Sequence, residues 1–321
     1  MTKQDDPFED RFVGACLGLM AGDALGQPVE GWPWPQIEAH YGWLEKMVAG
    51  RFPVGGYTDD TQMAIGLLES LVEARGFDPG LCAARWLANY EPQRGYGGRI
   101  HLLMTRLAQG DNWDEVGTDS FGNGSAMRIG PLGVWFAANE EELKEAALTS
   151  ARITHRHPQA LAGALVQALA VARACRLGLA GQALELDRFI PPLARQAAPI
   201  DPATGQRLED LFGLRPAPLP ELRDRLSRLF ACDVRAIEAV PPALAAVLLT
   251  KSFSQAVCLA VNLGGDTDTL GALAGALAGA YYGASAIPGD WWQALENRPG
   301  SGRDYLVGLC RRAMGLVQRP A

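Results

Sequence analysis

The 321-residue chain carries 29 Lys+Arg against 36 Asp+Glu, a formal net charge of −7, and is 48% hydrophobic and 20% charged. That supplies enough apolar material for a large core and excludes both an intrinsically disordered chain and a small disulfide-stapled scaffold. An acidic balance without a basic patch excludes a nucleic-acid binder of the phosphate-neutralising kind, and leaves open whether the surplus carboxylates coat the surface or serve a site.

In chain order, Met1 to Asp10 is polar and acidic, with neither a basic nor an apolar leader-like stretch, so a cytoplasmic protein is the expectation. The run 12–25 is apolar, with glycines at 14, 18, 22 and 26. A spacing of four places them on one stripe of a helix, where another backbone can approach closely. Apolar spacing near 3.6 in Ala- and Leu-rich sequence predicts further helices over 61–74, 81–89, 100–108, 141–151, 158–179, 243–250 and 305–317. Alternating β-branched runs are almost absent, so no sheet is predicted. Prolines and the polar stretch from Asp201 to Gln206 concentrate in 190–220. Because the other motifs flank that segment, it reads as an insertion within one all-α domain covering 1–321, a single compact multi-helix bundle. The six cysteines are scattered through apolar stretches with no C-x-x-C pair, the pattern of reduced core thiols. The 21 residues 269–289 hold no charge and are long enough to cross a bilayer. They are mostly Ala and Gly, however, preceded at once by Asp266 and Asp268, and a buried soluble helix with no membrane partner is expected. Glycines 271, 275, 279 and 283 repeat the stripe. The two striped helices are expected to pack on each other, with Gly18 and Gly22 near Gly271 and Gly275.

Chemistry concentrates at the ends of these stripes. Tyr57-Thr58-Asp59-Asp60-Thr61-Gln62 opens a helix. Asp59 as N-cap with Gln62 three residues on would make a capping box, while the alternative holds two carboxylates and a hydroxyl as hard oxygen ligands for Mg²⁺ or Mn²⁺. Gly264-Gly265-Asp266-Thr267-Asp268-Thr269 opens the second stripe, and its Gly pair permits a turn tight enough for both carboxylates to face one ion. Neither cluster contains His or Cys, which argues against zinc. Glu30 follows the first stripe and can approach Asp266 and Asp268 if the stripes pack; Asp23, within the stripe, reads as a structural hydrogen-bonding residue. Carboxylates gathered in one place repel unless cations neutralise them. Ser120-Phe121-Gly122-Asn123-Gly124-Ser125 reads either as a loop whose amides cradle a diphosphate or as a plain turn with Asn as N-cap.

In order, Gly22-Asp23-Ala24-Leu25-Gly26…Glu30, Tyr57-Thr58-Asp59-Asp60-Thr61, Gly122-Asn123-Gly124-Ser125-Ala126-Met127-Arg128 and Gly264-Gly265-Asp266-Thr267-Asp268-Thr269 resemble the ADP-ribosylglycohydrolase family over most of the chain. The resemblance implies an all-α fold around two divalent cations, Mg²⁺ or Mn²⁺, with Thr58, Asp59, Asp60, Asp266, Asp268 and Thr269 as ligands. It implies Glu30, Asp60 and Asp268 as catalytic residues, with Glu30 placing or activating the attacking water. Gly122, Asn123, Gly124, Ser125, Met127 and His155 would line an ADP-ribose pocket, with Arg128 a structural neighbour. Relatives of the dinitrogenase reductase-activating type carry an Asp in a short segment that matches Arg94-Gly95-Tyr96-Gly97-Gly98-Arg99 here, with Tyr96 at the position of the acid. Tyr96 is therefore a candidate for stacking on or bonding to substrate, and an arginine-linked substrate is in question. The expected function is cleavage of the glycosidic bond of ADP-ribosyl groups on a protein side chain, Arg or Ser, on a nucleobase or on a small molecule. The rival is a non-catalytic ADP-ribose or nucleotide binder that retains the pocket.

Overall fold

Two glycine-striped helices, Pro7–Gly26 and Thr267–Tyr282, lie face to face at the centre of the fold. The computed structural model describes residues 6–320. Among them it has seventeen α-helices and one two-residue ribbon, Asn297–Arg298 paired antiparallel with Ser301–Gly302. Gly14, Gly18 and Gly22 meet the carbonyls of Gly279, Gly275 and Gly271, and a Cβ at any of the three would fall inside the carbonyl it faces. The pairing predicted from the two stripes is the one observed. The second stripe helix is shorter than the uncharged run 269–289: it ends at Tyr282, where Gly283 turns to φ +88.

One hydrophobic cluster runs from Phe8 to Ala313 around this pair. The helix Pro158–Leu179 has the predicted bounds, and five of the other predicted helices differ by a few residues at their ends. The larger difference is at Ala236–Leu248, which passes through Pro241 and Pro242 and is buried along its whole length. Proline removes a helical N–H, but burial of thirteen residues outweighs that loss. The Pro-rich stretch behaves likewise. Residues 190–220 fall largely within Leu186–Ala197, Pro202–Glu209 and the start of Leu219–Leu229, and Phe189, Ile190, Leu193, Leu208 and Leu211 belong to the common core. All six cysteines are buried and free. Pro7–Val29 and Pro158–Leu179 are long and apolar enough to cross a membrane, and their apolar windows are 94% and 78% buried inside the protein.

Candidate active site

The first acidic motif is positioned from below by Asp23. Its carboxylate accepts hydrogen bonds from Thr58 N at 3.0 Å, Thr61 N at 3.1 Å and the Thr61 hydroxyl at 2.5 Å. Tyr57 is held from the other side by Arg94, whose guanidinium lies 4.0 Å over the Tyr57 ring, donates to Tyr57 O at 2.8 Å and pairs with Glu296 at 2.7 Å. The helix Asp59–Ala74 is capped by Thr58, whose Oγ1 accepts from Asp60 N. Asp59 is therefore not the N-cap, and Gln62 closes no capping box. The Gln62 Oε1 instead accepts from Glu91 N and from the Tyr96 hydroxyl. Because Thr58 does the capping, the carboxylates of Asp59 and Asp60 are left free of that role.

The second motif is held by backbone. Gly264 and Gly265 take φ +77 and +79, a conformation that only glycine adopts cheaply. Gly31 N donates to Gly265 O at 2.8 Å and Gly265 N to Trp32 O at 2.9 Å, so the segment carrying Glu30 is clasped to the segment carrying Asp266. Asp266 stands at the N-cap position without a side-chain capping bond; its Oδ2 accepts from Asn123 Nδ2 at 2.6 Å. Cys232 O accepts from Asp266 N, and Val234 O from Asn123 N, both at 2.8 Å. The short segment around Cys232 thus ties the Asn123 loop to the second acidic motif.

These supports bring together carboxylates that the sequence spaces far apart. Oxygens of Glu30, Asp266 and Asp268 lie within 4.8 Å of one another. Asp59 and Asp60 join them in lining a cavity of about 380 Å³. Burial, reinforced by the Asp23 charge, pushes Asp59 up to about 8, and burial with Asp23 and Asp59 raises Asp60 well above the usual carboxylate range. Asp268 is raised the same way by burial, Asp266 and Asp60, and Glu30 by burial and Asp266 against an opposing pull from Arg51. Asp60 Oδ1 is buried with no hydrogen-bond partner. A buried orphan oxygen and mutually repelling acids fit a bound cation, and an all-oxygen donor set suits a hard one.

Of the residues singled out from sequence, Glu30, Asp59, Asp60, Asp266, Asp268 and Thr269 line this cavity together with Gly122, Asn123, Gly124, Met127 and His155. Three do not. Thr58 is buried beneath it and donates to Asp60 Oδ2 at 3.2 Å. Ser125 turns inward to donate to Ala160 O at 3.0 Å. Tyr96 is also turned away: its ring packs edge-on against Tyr90 and its hydroxyl donates to Gln62 Oε1 at 2.8 Å, so the position of the expected acid presents no side chain to the cavity. In its place the wall offers Gly95, Gly97, Gly98 and Arg99. Sequence reasoning passed over Arg99, although its position in the first turn after a Gly-rich run was a usable signal. Thr118 and Val234 carried no such signal. Arg128 both lines the cavity and is buried, with its guanidinium 4.0 Å over the Trp86 ring.

The sequence pattern of the ADP-ribosylglycohydrolase family matches residues 4–321. The chain is 32% identical to the Escherichia coli (strain K12) protein YegU over 87% of this chain and 89% of that one. It is 29% identical to the ADP-ribosylhydrolase ARH3 of Gallus gallus, covering 90% of each chain. It is 30% identical to the ADP-ribosyl-[dinitrogen reductase] glycohydrolase of Rhodospirillum rubrum over 89% of this chain and 90% of that one. A solved structure described as an ADP-ribosylglycohydrolase-related protein complex superposes with a TM-score of 0.73 at 33% identity, covering 97% of this chain and 99% of that one. With its all-α fold and its acid-lined cavity, the chain belongs to the ADP-ribosylglycohydrolase family, enzymes that hydrolyse glycosyl bonds.

Proposed function

We propose that this enzyme releases ADP-ribose from an arginine or serine side chain, or from a small-molecule acceptor, with two Mg²⁺ or Mn²⁺ ions held by Asp59, Asp60, Asp266, Asp268 and Thr269 and by Thr58, whose capping hydroxyl keeps a second lone pair beside Asp60. The observation that carries the reading is the convergence of Glu30, Asp59, Asp60, Asp266 and Asp268 on one cavity shared with the Gly122–Gly124 loop. Bound there, the cations would offset the carboxylate repulsion and polarise the ribose hydroxyls beside the anomeric carbon. Glu30 is the most exposed of these acids, at the open edge of the cluster, and accepts the proton of the attacking water. Asp60 and Asp268 set negative charge against an oxocarbenium-like anomeric centre. Asn123 holds Asp266 in orientation through its 2.6 Å bond. Gly122, Gly124, Met127 and His155 bind the ADP-ribosyl group.

The test is release of ADP-ribose from arginine-, serine- and nucleobase-linked substrates with Mg²⁺, with Mn²⁺ and after chelation, alongside calorimetric titration of each ion. Release that needs the ion and is lost in Asp268→Asn is the expected result. ADP-ribose binding without release on any substrate would favour the non-catalytic binder. Ion binding unaltered by Asp268→Asn would overturn the ligand assignment.

A further inference from the structure

His155 is 5% exposed and lines the cavity, and the contacts behind it settle which of its nitrogens carries the proton. Arg128 Nη2 donates to Ser150 O at 3.2 Å and to Thr154 Oγ1 at 2.8 Å. A guanidinium has no acceptor, so at this contact the Thr154 oxygen must accept, and its single proton is left to donate elsewhere. Two acceptors are in reach: Ala151 O at 3.5 Å and His155 Nδ1 at 2.7 Å. The first is at the limit of a hydrogen bond and the second has the ordinary length for a hydroxyl donor. With Nδ1 accepting, the neutral imidazole carries its proton on Nε2. Burial, with the Arg128 and Arg99 charges, favours the neutral ring.

The backbone keeps the ring in place. His155 N donates to Ala151 O at 2.8 Å, and Thr118 bridges the segment through Thr118 N to Thr154 O at 3.0 Å and Arg156 N to Thr118 O at 2.8 Å. Nε2 has no hydrogen-bond partner among the described residues, and it faces the Gly122–Gly124 loop so closely that a methyl group at Gly124 would sit 3.2 Å from it.

We infer that Arg128 and Thr154 are positioning residues that lock His155 in its Nε2–H tautomer, so that it presents a neutral donor to an oxygen of the ADP-ribosyl group. The substrate half of this rests on the proposed function; the tautomer half does not. The hydrogen-bond direction runs one way, from Arg128 to Thr154 to His155 to substrate, and removal of the Thr154 hydroxyl breaks it while leaving the imidazole itself in place.

Nitrogen-15 NMR of the imidazoles in the free protein near neutral pH reads the tautomer directly, with the His155 signals assigned by their loss in His155→Gln. The expected spectrum has a protonated Nε2 and an unprotonated Nδ1. In Thr154→Val the tautomers mix and KM for an ADP-ribosyl substrate rises by the inverse of the fraction left as Nε2–H, about twofold for an even mixture, with kcat little changed. Thr154→Ser, which keeps the hydroxyl, restores both readings. A proton on Nδ1 in the wild-type protein overturns the inference, as does a Thr154→Val variant with unchanged spectrum and KM. If Thr154→Val does not fold, the wild-type spectrum still decides. If wild-type protein fails to bind ADP-ribose in calorimetry, the proposed function falls while the spectrum of the free protein still judges the relay.

Discussion

Gly26→Ala tests whether close packing of the striped helices holds the acid cluster together. A Cβ at Gly26 would lie 2.6 Å from Asp268 Cα and 2.5 Å from Thr267 C. Ordinary contact begins near 3.4 Å, so the Asp268 backbone must retreat by at least 3.4 − 2.6 = 0.8 Å. Asp268 belongs to the group of carboxylates whose oxygens lie within 4.8 Å of one another, so the shift changes its spacing from Glu30 and Asp266 directly. Overpacking of this kind costs about 1–3 kcal/mol. In a chain of 321 residues that lowers Tm by about 1.5–4.5 °C. Displacement of reacting groups by nearly 1 Å lowers kcat/KM by roughly 100-fold. Gly14→Ala supplies the contrast: its Cβ would meet Ala284 N and Gly283 C at 2.7 Å, at the far end of the same interface. It should show a comparable fall in Tm with much smaller losses in ion affinity and activity. Thermal unfolding, ion titration and release kinetics on both variants are sufficient. Wild-type ion affinity and activity in Gly26→Ala would refute the argument that helix spacing sets the site.

Other outcomes follow from single contacts. Arg99 lines the cavity and forms no ion pair among the described residues, so Arg99→Ala should weaken ADP-ribose binding by roughly tenfold and flatten its salt dependence, read by calorimetry at two ionic strengths. Asp23→Asn places an amide where three donors converge and should cost about 1–3 kcal/mol in denaturant unfolding. Tyr96→Phe removes only the bond to Gln62, and should lose about 1 kcal/mol of stability with KM unchanged; a raised KM would return Tyr96 to the substrate. His155 is held down to about 3 by burial and by Arg128 and Arg99, so its NMR signals should not titrate from pH 8 to pH 5. Its folded pKa lies below the unfolded value of about 6.5, so its contribution to stability is complete above that value and declines as pH falls toward 3, a slope that His155→Gln should reduce.

Much of this arrangement is legible in the sequence because it rests on local periodicity. Stripes of glycine four apart announce a close helix pair, and Gly264-Gly265 announces a turn with positive φ. What escapes is set by tertiary burial. Pro241-Pro242 and Pro191-Pro192 look like helix breakers, yet both pairs lie inside helices. Thr58 and Asp59 are both residue types that cap helices, so sequence alone does not separate them; the fold uses the Thr58 hydroxyl and leaves Asp59 to the cavity. Tyr96 was expected at the substrate from a one-dimensional match, but period and spacing carry no information on where a loop side chain turns, and Gln62 draws it inward. The Cys232–Val234 wall had no signal at all, since it acts through carbonyls that every residue type possesses.

The Thr267 hydroxyl bonds to Gly26 O across 241 residues of sequence. A chain emerging from the ribosome presents its first striped helix, apolar and nearly all buried in the finished fold, long before any partner exists for it. Loop closure over that span must precede the contacts that reward it, which makes docking of the second stripe a late and slow event in folding. The acid cluster consequently cannot assemble before that docking. A chain interrupted between Thr269 and Tyr282 would be inactive with every residue of the site already present, and would expose a surface that invites aggregation.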